Sequence, residues 1–384
     1  MRKTLLLSEI FPPVNGGSGR WFWEVYTRLP AKDIVVAAER TDLSAEFDNK
    51  SPLTTYRIPL SSSSWGLKSL SGLHYYWRVY RTVMSIIKSE KIKVIHCGRC
   101  LPEGFIGFLI NKLQGIPYVC YIHGEDVETA ATSRELSWIV KQALGGASKL
   151  ICNSQNSAQI LLENWQTDPT KTCVINPGVD AQKFKSAAID ETIKNSLGWQ
   201  SRQVILTVGR LQERKGHDIL IKALPSIVEK FPQVLYAIIG HGEQKSNLSA
   251  LVAKLKLQDH VLFMDEISDQ KMIQSYQQCD VFALPNRTVG RDIEGFGMVL
   301  VEAQACAKPV IAGDSGGTAE TMVIGKSGLI IDCTNPTVLA NVLITWLGDP
   351  KLCSQMGQQG RLHVEATLDW IMLTKRIKHL IDTL

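Results

Sequence analysis

The sequence from Asp280 to Gly313 reads DVFALPNRTVGRDIEGFGMVLVEAQACAKPVIAG. Two short β-rich runs, Asp280–Pro285 and Pro309–Gly313, flank a stretch that predicts a helix starting near Gly297. A strand, a helix and a second strand in this order are typical of the units from which parallel sheets are built. The stretch therefore predicts an α/β fold.

Runs of the same kind alternate with helical stretches along the chain, which predicts two doubly wound parallel sheets. The strands predicted in the first half are Lys3–Glu9, Asp33–Ala38, Thr54–Leu60, Lys93–Cys97, Tyr118–His123, Lys149–Asn153 and Thr172–Asn176. Those predicted in the second half are Gln203–Gly209, Val234–Gly240, Val261–Asp265, Asp280–Pro285, Pro309–Gly313 and Gly328–Asp332. We expect two Rossmann-like domains facing each other across a cleft, residues 1–178 and 179–368, followed by a terminal helix over 369–384. The run Pro177–Asp180 and the polar stretch Ala181–Gln200 that follows it are typical of a linker.

Two acidic residues, Glu294 and Glu302, bracket the predicted start of the helix near Gly297. The first N–H groups of a helix lack partners and the peptide dipole is positive there, so this end attracts anions such as a diphosphate. A carboxylate in the first turns can accept hydrogen bonds from ribose hydroxyls. The pattern predicts a site for a nucleoside diphosphate that carries a polar group. The alternative is an exposed helix with incidental acids.

A cationic loop, Gly209–Gly216, follows the strand Gln203–Gly209 and places Arg210 and Lys215 before a helix. Arginine offers a planar fork to phosphate oxygens and lysine a compact charge, so both can stabilise a diphosphate leaving group. A solvated basic turn is the alternative. The metal-chelating D-x-D motif of other nucleotide-sugar enzymes does not occur in the sequence. We therefore expect a mechanism that needs neither a metal ion nor a cofactor.

Two further candidate segments follow predicted strands of the first half. The loop Ile10–Arg20 contains Gly16 and Gly17, which let the backbone approach a ligand closely, but it lacks the pattern of a P-loop. His123 ends a predicted strand and is followed by two acids. Because ligands of doubly wound sheets bind at the carboxyl ends of strands, we expect His123 to contact a ligand. A purely structural histidine is the alternative.

The net charge of +5 lies entirely in the first half, which has 20 Lys and Arg against 15 Asp and Glu up to residue 178. The segment Trp65–Lys93 combines aromatic and basic residues. It fits either contact with an anionic membrane or a helix with an aromatic core face and a basic solvent face. The modest charge and the absence of a recognised motif argue against binding to nucleic acid.

The nine cysteines are odd in number and scattered, which does not predict a disulfide framework. The pair Cys97 and Cys100 has no second pair at the spacing of a zinc site. No run of eighteen apolar residues occurs, and an acid and two prolines end the first apolar run, which predicts a strand rather than a signal peptide. We expect a cytoplasmic protein with peripheral contact to the inner face of the membrane.

At these motifs the chain resembles the retaining glycosyltransferases of family 4, which have two Rossmann-like domains in the arrangement called GT-B. The likeness is carried by the spacing of Glu294 and Glu302, by the loop with Arg210 and Lys215, and by the run Gly316–Glu320. It extends over nearly the whole chain. The resemblance implies that the last helix, 369–384, packs back onto the first domain. It also implies that the first domain binds the acceptor and the second the nucleotide-sugar donor.

The resemblance implies roles for individual residues. Glu302 would hold the ribose hydroxyls, and Arg210 and Lys215 the diphosphate. Backbone N–H groups would be presented to the sugar and phosphate by Phe296, Gly297 and Met298. Glu294 and His123 would contact the transferred sugar. Gly16 or Gly17 would approach the phosphate and the acceptor. We expect catalysis to depend on His123, Glu294, Arg210 and Lys215.

The runs Val289–Gly297 and Val310–Gly317 are similar to those of bacterial enzymes that mannosylate phosphatidylinositol mannosides with GDP-mannose. We therefore expect transfer of α-mannose from GDP-mannose to a hydroxyl of a lipid-linked or glycan acceptor, with retained anomeric configuration. The alternatives are a UDP-sugar-dependent glycosyltransferase of the same family, a nucleotide-sugar epimerase, and a non-catalytic protein that binds nucleotide sugars.

Overall fold

The computed structural model describes residues 1–14, 16–62, 65–265 and 267–383. Asn15 of the glycine-containing loop and Leu384 of the predicted terminal helix lie outside the described residues. The chain divides into two compact units, one made of Met1–Pro177 with Trp370–Leu384 and the other of Gly178–Asp369. Each unit is an α/β domain built on a parallel sheet.

The described residues of the first unit contain seven parallel strands. These are β1 (Thr4–Ser8), β2 (Ile34–Ala38), β3 (Thr54–Arg57), β4 (Val94–Cys97), β5 (Tyr118–Ile122), β6 (Lys149–Cys152) and β7 (Thr172–Val174). Their spatial order is β3-β2-β1-β4-β5-β6-β7. The order reverses between β1 and β4, which is the position where doubly wound sheets generally bind their ligands.

Helices cover the sheet of the first unit. They are α1 (Gly17–Tyr26), α2 (Ser44–Lys50), α3 (Leu70–Glu90), α4 (Phe105–Gln114), α5 (Glu125–Ala130), α6 (Arg134–Gly146) and α7 (Gln155–Trp165).

The second unit repeats the pattern with six parallel strands among its described residues. These are β8 (Gln203–Val208), β9 (Val234–Ile239), β10 (Val261–Met264), β11 (Val281–Leu284), β12 (Val310–Gly313) and β13 (Gly328–Ile331), in the order β10-β9-β8-β11-β12-β13. Its helices are α8 (Glu191–Ser196), α9 (His217–Lys230), α10 (Lys245–Lys254), α11 (Asp269–Gln278), α12 (Met298–Ala305), α13 (Pro336–Gly348) and α14 (Pro350–Thr367). Here the order reverses between β8 and β11.

Both faces of the second sheet are buried. Val204 and Leu206 of β8 belong to one hydrophobic cluster, whereas Ile205 between them belongs to another. Successive side chains of a strand point to opposite faces, and a sheet covered on both faces needs apolar residues at every position. This explains why the strands of the second unit are largely continuous apolar runs. Every predicted strand is confirmed, and each is somewhat shorter than predicted.

The prediction of a linker at Ala181–Gln200 is wrong. Phe184 and Trp199 are fully buried in the core of the second unit, and α8 lies between them. The guanidinium group of Arg361 donates hydrogen bonds to the carbonyl groups of Ala181 and Phe184, at 2.9 and 2.6 Å. The polar composition of the stretch concealed three large apolar side chains, Phe184, Leu197 and Trp199, whose partners lie elsewhere in the sequence.

The last helix, α15 (Trp370–Thr383), belongs to the first unit, where it packs against α1. Trp370, Ile377 and Ile381 are buried, and Arg376 donates a hydrogen bond to the carbonyl oxygen of Val174 at 2.9 Å. The chain therefore returns to the first unit after completing the second. Among the residues that the structure describes, no helix is both long and apolar enough to cross a membrane.

Candidate active site

The cationic loop and the acidic helix start of the second unit meet at the point where the strand order reverses. The first leaves the carboxyl end of β8 and the second that of β11, and these strands are neighbours in the sheet. At such a point two loops diverge and leave space for a ligand. The two elements that the sequence singled out are thus brought together by the topology of one sheet.

Glu294 is the centre of this cluster. Its Oε2 atom accepts hydrogen bonds from Nη1 of Arg214 and from Nζ of Lys215, both at 2.5 Å. Nε of Arg214 also lies 3.1 Å from Oδ1 of Asp292. The side chains of Arg214, Lys215 and Glu294 are at most 10 % exposed, whereas Asp292 is about half exposed. Two cations and a carboxylate are therefore held together out of water.

Each charge in this cluster depends on the others. Burial alone would raise the pKa of Glu294, but the charges of Lys215 and Arg214 and their hydrogen bonds outweigh it and lower the pKa. Burial lowers the pKa of Lys215, helped by the neighbouring Arg214 and opposed by the carboxylate. Glu294 is consequently ionised at neutral pH, and its protonation would leave two buried cations without a counter-charge.

Close backbone contacts hold Glu294 in place. A side chain at Gly316, where φ is +64°, would put its Cβ 1.9 Å from the carbonyl oxygen of Glu294. That oxygen also accepts a hydrogen bond from the N–H of Gly317 at 2.9 Å. On the other side, a Cβ at Gly216 would lie 1.8 Å from the carbonyl oxygen of Pro285. Glycine is required at both positions because the backbones pass too closely for any larger residue.

The predicted helix start is confirmed. Helix α12 begins at Met298, and Gly297 precedes it with a left-handed backbone, φ +96°. No side chain caps this end in the part of the chain that the structure describes, so the first N–H groups of α12 can serve a ligand. Phe296 is buried in the core. The hydroxyl group of Tyr276 donates to Oε2 of Glu302 at 2.6 Å, which fixes this buried carboxylate.

Arg210 lies on the same loop as Lys215, and its charge is one of those that lower the pKa of Lys215. Arg210 is exposed, while its carbonyl oxygen accepts a hydrogen bond from Nε2 of His217 at 3.3 Å. Nδ1 of His217 lies 3.1 Å from the hydroxyl group of Tyr236, which is 3.0 Å from that of Thr207. Burial lowers the pKa of His217 to about 4, so this ring is neutral. A buried polar chain thus anchors the backbone at Arg210 and leaves its guanidinium group at the surface.

The remaining predicted residues belong to the first unit. Gly17 begins α1 and Gly16 directly precedes it, both exposed. His123 follows β5 and is largely buried, with Nε2 2.9 Å from the carbonyl oxygen of Gly98. Burial lowers the pKa of His123, so the neutral ring donates from Nε2 and its Nδ1 carries the lone pair. Asp126 accepts from the backbone N–H of His123 at 3.1 Å.

A buried carboxyl group lies where the strand order reverses in the first unit. Glu103 is fully buried, and its Oε1 accepts a hydrogen bond from the N–H of Glu9 at 2.7 Å. Glu9 directly follows β1, and Glu103 lies in the turn Cys100–Gly104 after β4. Burial raises the pKa of Glu103 to about 8, despite the opposing charge of Arg99. This residue was not among the candidates predicted from the sequence.

The structure thus brings Lys215 and Glu294 into direct contact and places Phe296, Gly297, Met298 and Glu302 on the adjoining helix start. Three partners were not predicted from the sequence: Arg214, which contacts Glu294, Asp292, which contacts Arg214, and Tyr276, which contacts Glu302. Arg214 lies in the cationic loop Gly209–Gly216, directly before Lys215. Nothing in the sequence marked Tyr276, because it reaches Glu302 from a separate helix, α11.

Comparison with known proteins agrees with this architecture. Residues 15–183 match the family described as Glycosyltransferase Family 4, and residues 189–363 match Glycosyl transferases group 1. An uncharacterized glycosyltransferase of Methanocaldococcus jannaschii is 30 % identical over 93 % of this chain and 92 % of its own length. The chain is a family-4 glycosyltransferase.

Two further comparisons place this glycosyltransferase. A GDP-mannose-dependent α-(1-6)-phosphatidylinositol monomannoside mannosyltransferase of Mycolicibacterium smegmatis is 26 % identical over 98 % of each chain. The Anabaena protein HepE, solved in complex with UDP-glucose, superposes with a TM-score of 0.83 at 21 % identity, covering 99 % of this chain and 100 % of its own. The likeness to HepE shows the GT-B fold, which confirms the predicted fold class.

Members of this family generally use a nucleotide-sugar donor without a metal ion. Within residues 1–14, 16–62, 65–265 and 267–383, no group of three or more His, Cys, Asp or Glu side chains could hold one.

Proposed function

We propose that this glycosyltransferase transfers α-mannose from GDP-mannose to a hydroxyl group of a lipid-linked or glycan acceptor, with retention and without a metal ion. The observation that carries the proposal is the contact of Lys215 with Glu294 beside the amino end of α12. This arrangement offers a cation and free N–H groups to a diphosphate and a carboxylate to sugar hydroxyls. The choice of mannose and GDP is supported by relatives that are 26–28 % identical and are named GDP-mannose-dependent.

Each residue has a part in the proposed reaction. Lys215 and the exposed Arg210 stabilise the leaving diphosphate, together with the N–H groups at Gly297 and Met298. Glu294, kept ionised by Arg214, accepts hydroxyl hydrogens of the transferred sugar, and the carboxylate of Glu302 accepts those of the ribose.

In the first unit, His123 contacts the transferred sugar, and Gly16 or Gly17 approaches the phosphate and the acceptor. Neutral His123 suits this part because Nδ1 can accept a hydrogen bond from a sugar hydroxyl.

The proposed chemistry balances without a protein nucleophile. The bond between the anomeric carbon and the diphosphate oxygen breaks, and the acceptor oxygen bonds to the same face of the sugar. The departing diphosphate takes the proton of the acceptor hydroxyl. Its negative charge grows as the bond breaks, so preorganised cations and N–H donors bind the transition state more tightly than the ground state.

Ligand-induced thermal shifts test the donor. A ligand that binds only the folded state raises the melting temperature, so GDP and GDP-mannose should do so more than UDP, ADP and their sugars. A larger shift with UDP and UDP-glucose would reject GDP-mannose and identify a UDP-sugar enzyme.

Turnover with a lipid extract tests the reaction itself. A mannosylated lipid should form, and Lys215→Ala should reduce kcat/KM by a factor of about 10²–10³, the usual cost of losing one transition-state donor. Lys222→Ala is the matched control, because Lys222 lies at the surface, where it pairs with Asp218. An epimer formed from the donor alone, or donor bound but never consumed, would contradict the proposal.

A further inference from the structure

Helix α3 presents an apolar surface to solvent over its first two turns. Leu70 is 86 % exposed, Leu73 50 % and Trp77 54 %. Large apolar side chains exposed singly are common, but a group of three on one helix marks an interaction surface. Positions 70, 73 and 77 follow the spacing that places side chains on one face of a helix.

Basic residues continue this face towards the end of the helix. Arg78, Arg81 and Lys88 are exposed, and the guanidinium group of Arg81 lies 4.9 Å from the ring centroid of Trp77. Positions 77, 81 and 88 fall on nearly the same line along the helix, because 3.6 residues make one turn. No Asp or Glu occurs from Gly66 to Ser89, so every formal charge that this segment itself carries is positive. We call the exposed side chains of Leu70, Leu73, Trp77, Arg78, Arg81 and Lys88 the outer face of α3.

The opposite side of α3 is anchored firmly in the first unit. Tyr75, Tyr76, Val79 and Val83 are buried in its core, and Oγ of Ser69 accepts a hydrogen bond from the N–H of Gly72 at 3.0 Å. The side of α3 that faces the core is therefore already packed, and the outer face is a separate surface. On it, apolar side chains lie in solvent beside basic ones.

We propose that the outer face of α3 docks this glycosyltransferase onto a bilayer that contains anionic lipid. Charge complementarity selects this occupant: the arginines and Lys88 face lipid phosphates, while Leu70, Leu73 and Trp77 enter the boundary between head groups and acyl chains. The proposal deepens the proposed function, since an enzyme held at the bilayer meets a lipid-linked acceptor. Both interpretations of Trp65–Lys93 apply to this helix in part, because the tyrosines at 75 and 76 are core residues whereas Trp77 is a surface residue.

Co-sedimentation of the full chain with vesicles tests the docking without donor or acceptor. We expect binding to phosphatidylcholine vesicles that contain phosphatidylserine and weak binding to pure phosphatidylcholine. Binding should fall as salt is raised, because mobile ions screen surface charges. Vesicle binding does not depend on the proposed reaction, because neither donor nor acceptor is present. Turnover of a soluble acceptor, in turn, does not depend on docking to the bilayer.

Two variants separate the contributions. Arg78→Glu combined with Arg81→Glu should weaken the partition coefficient at least about tenfold by reversing two cations near the surface, and Trp77→Ala should weaken it independently of salt. The matched controls are Lys254→Glu on the exposed side of α10 and Leu162→Ala, which is 41 % exposed on α7. All substitutions lie outside the core, so thermal melting should match the parent.

Two outcomes would overturn the proposal. One is equal binding to neutral and anionic vesicles, or binding that both variants retain. The other is a concentration-dependent dimer that Trp77→Ala abolishes while vesicle binding persists, since the outer face would then serve a second copy of the chain.

Discussion

Arg214 offers the sharpest test of how the charge cluster works. Its side chain is 6 % exposed and joins Glu294 to Asp292. We infer that it keeps the Glu294 carboxylate ionised and in place, so that the remaining donors of Lys215 are available to a diphosphate. Arg214→Met removes the charge and retains much of the aliphatic volume.

The expected magnitude follows from the exposure of each contact. Removing one partner of a buried ion pair costs about 3–5 kcal/mol because the other charge is left uncompensated. Here Lys215 remains on the same oxygen of Glu294, so the lower end of this range, about 3 kcal/mol, is expected. The contact with Asp292 adds less than about 1 kcal/mol, because that carboxylate is half exposed.

The assay combines stability with turnover. Urea unfolding followed by hydrogen exchange of peptides from residues 203–331 reports on the unit that holds the pair, which matters because a two-unit chain need not unfold in one step. If the free energy lost with the Arg214–Glu294 contact also raises the transition state, about 3 kcal/mol corresponds to a decrease of about a hundredfold in kcat/KM.

Asp292→Asn is the matched control and should change kcat/KM by less than about fivefold. Unfolding and kcat/KM of Arg214→Met that equal those of the parent would refute the inference.

Three further predictions concern single positions. Glu103 has a folded pKa of about 8 against an ordinary value of 4.5, so the folded state retains a proton that the unfolded state loses, and its stability falls as pH rises from about 4.5 to 8. Glu103→Gln should remove this decline, which would stabilise the protein by up to about 5 kcal/mol at pH 8 but little at pH 4.5. The prediction is contradicted if the free energies of unfolding of parent and variant, measured in urea, change with pH in parallel. Gly316→Ala should lower the free energy of unfolding by several kcal/mol and abolish donor-induced thermal shifts, because the new Cβ meets the carbonyl oxygen of Glu294. The control is Gly325→Ala, where the backbone is also left-handed but the surrounding space is open, and it should lower the free energy of unfolding by only about 1 kcal/mol. Ala307 has φ +57°, so Ala307→Gly should raise the unfolding free energy by about 1 kcal/mol, and a lower melting temperature would contradict it.

Strands and helix starts were predictable because their causes are local. A strand buried on both faces must be apolar at consecutive positions, and that pattern is visible in runs such as Gln203–Val208 and Val234–Ile239. The start of α12 was visible because Gly297 permits a left-handed turn that other residues resist. The stretch around Phe184 and Trp199 was misread because its burial depends on partners that are distant in sequence.

The sequence by itself determined the α/β class, the strands, the start of α12 and the presence of acids and cations at strand ends, because periodicity, glycine and charge act over a few residues. Only the tertiary structure decided that Arg214 joins Lys215 at Glu294 and that Tyr276 reaches Glu302. It also decided which aromatic residues of α3 face solvent. The physical reason is that pairing and burial depend on which strands become neighbours, and the reversal of strand order between β8 and β11 is a property of the whole sheet.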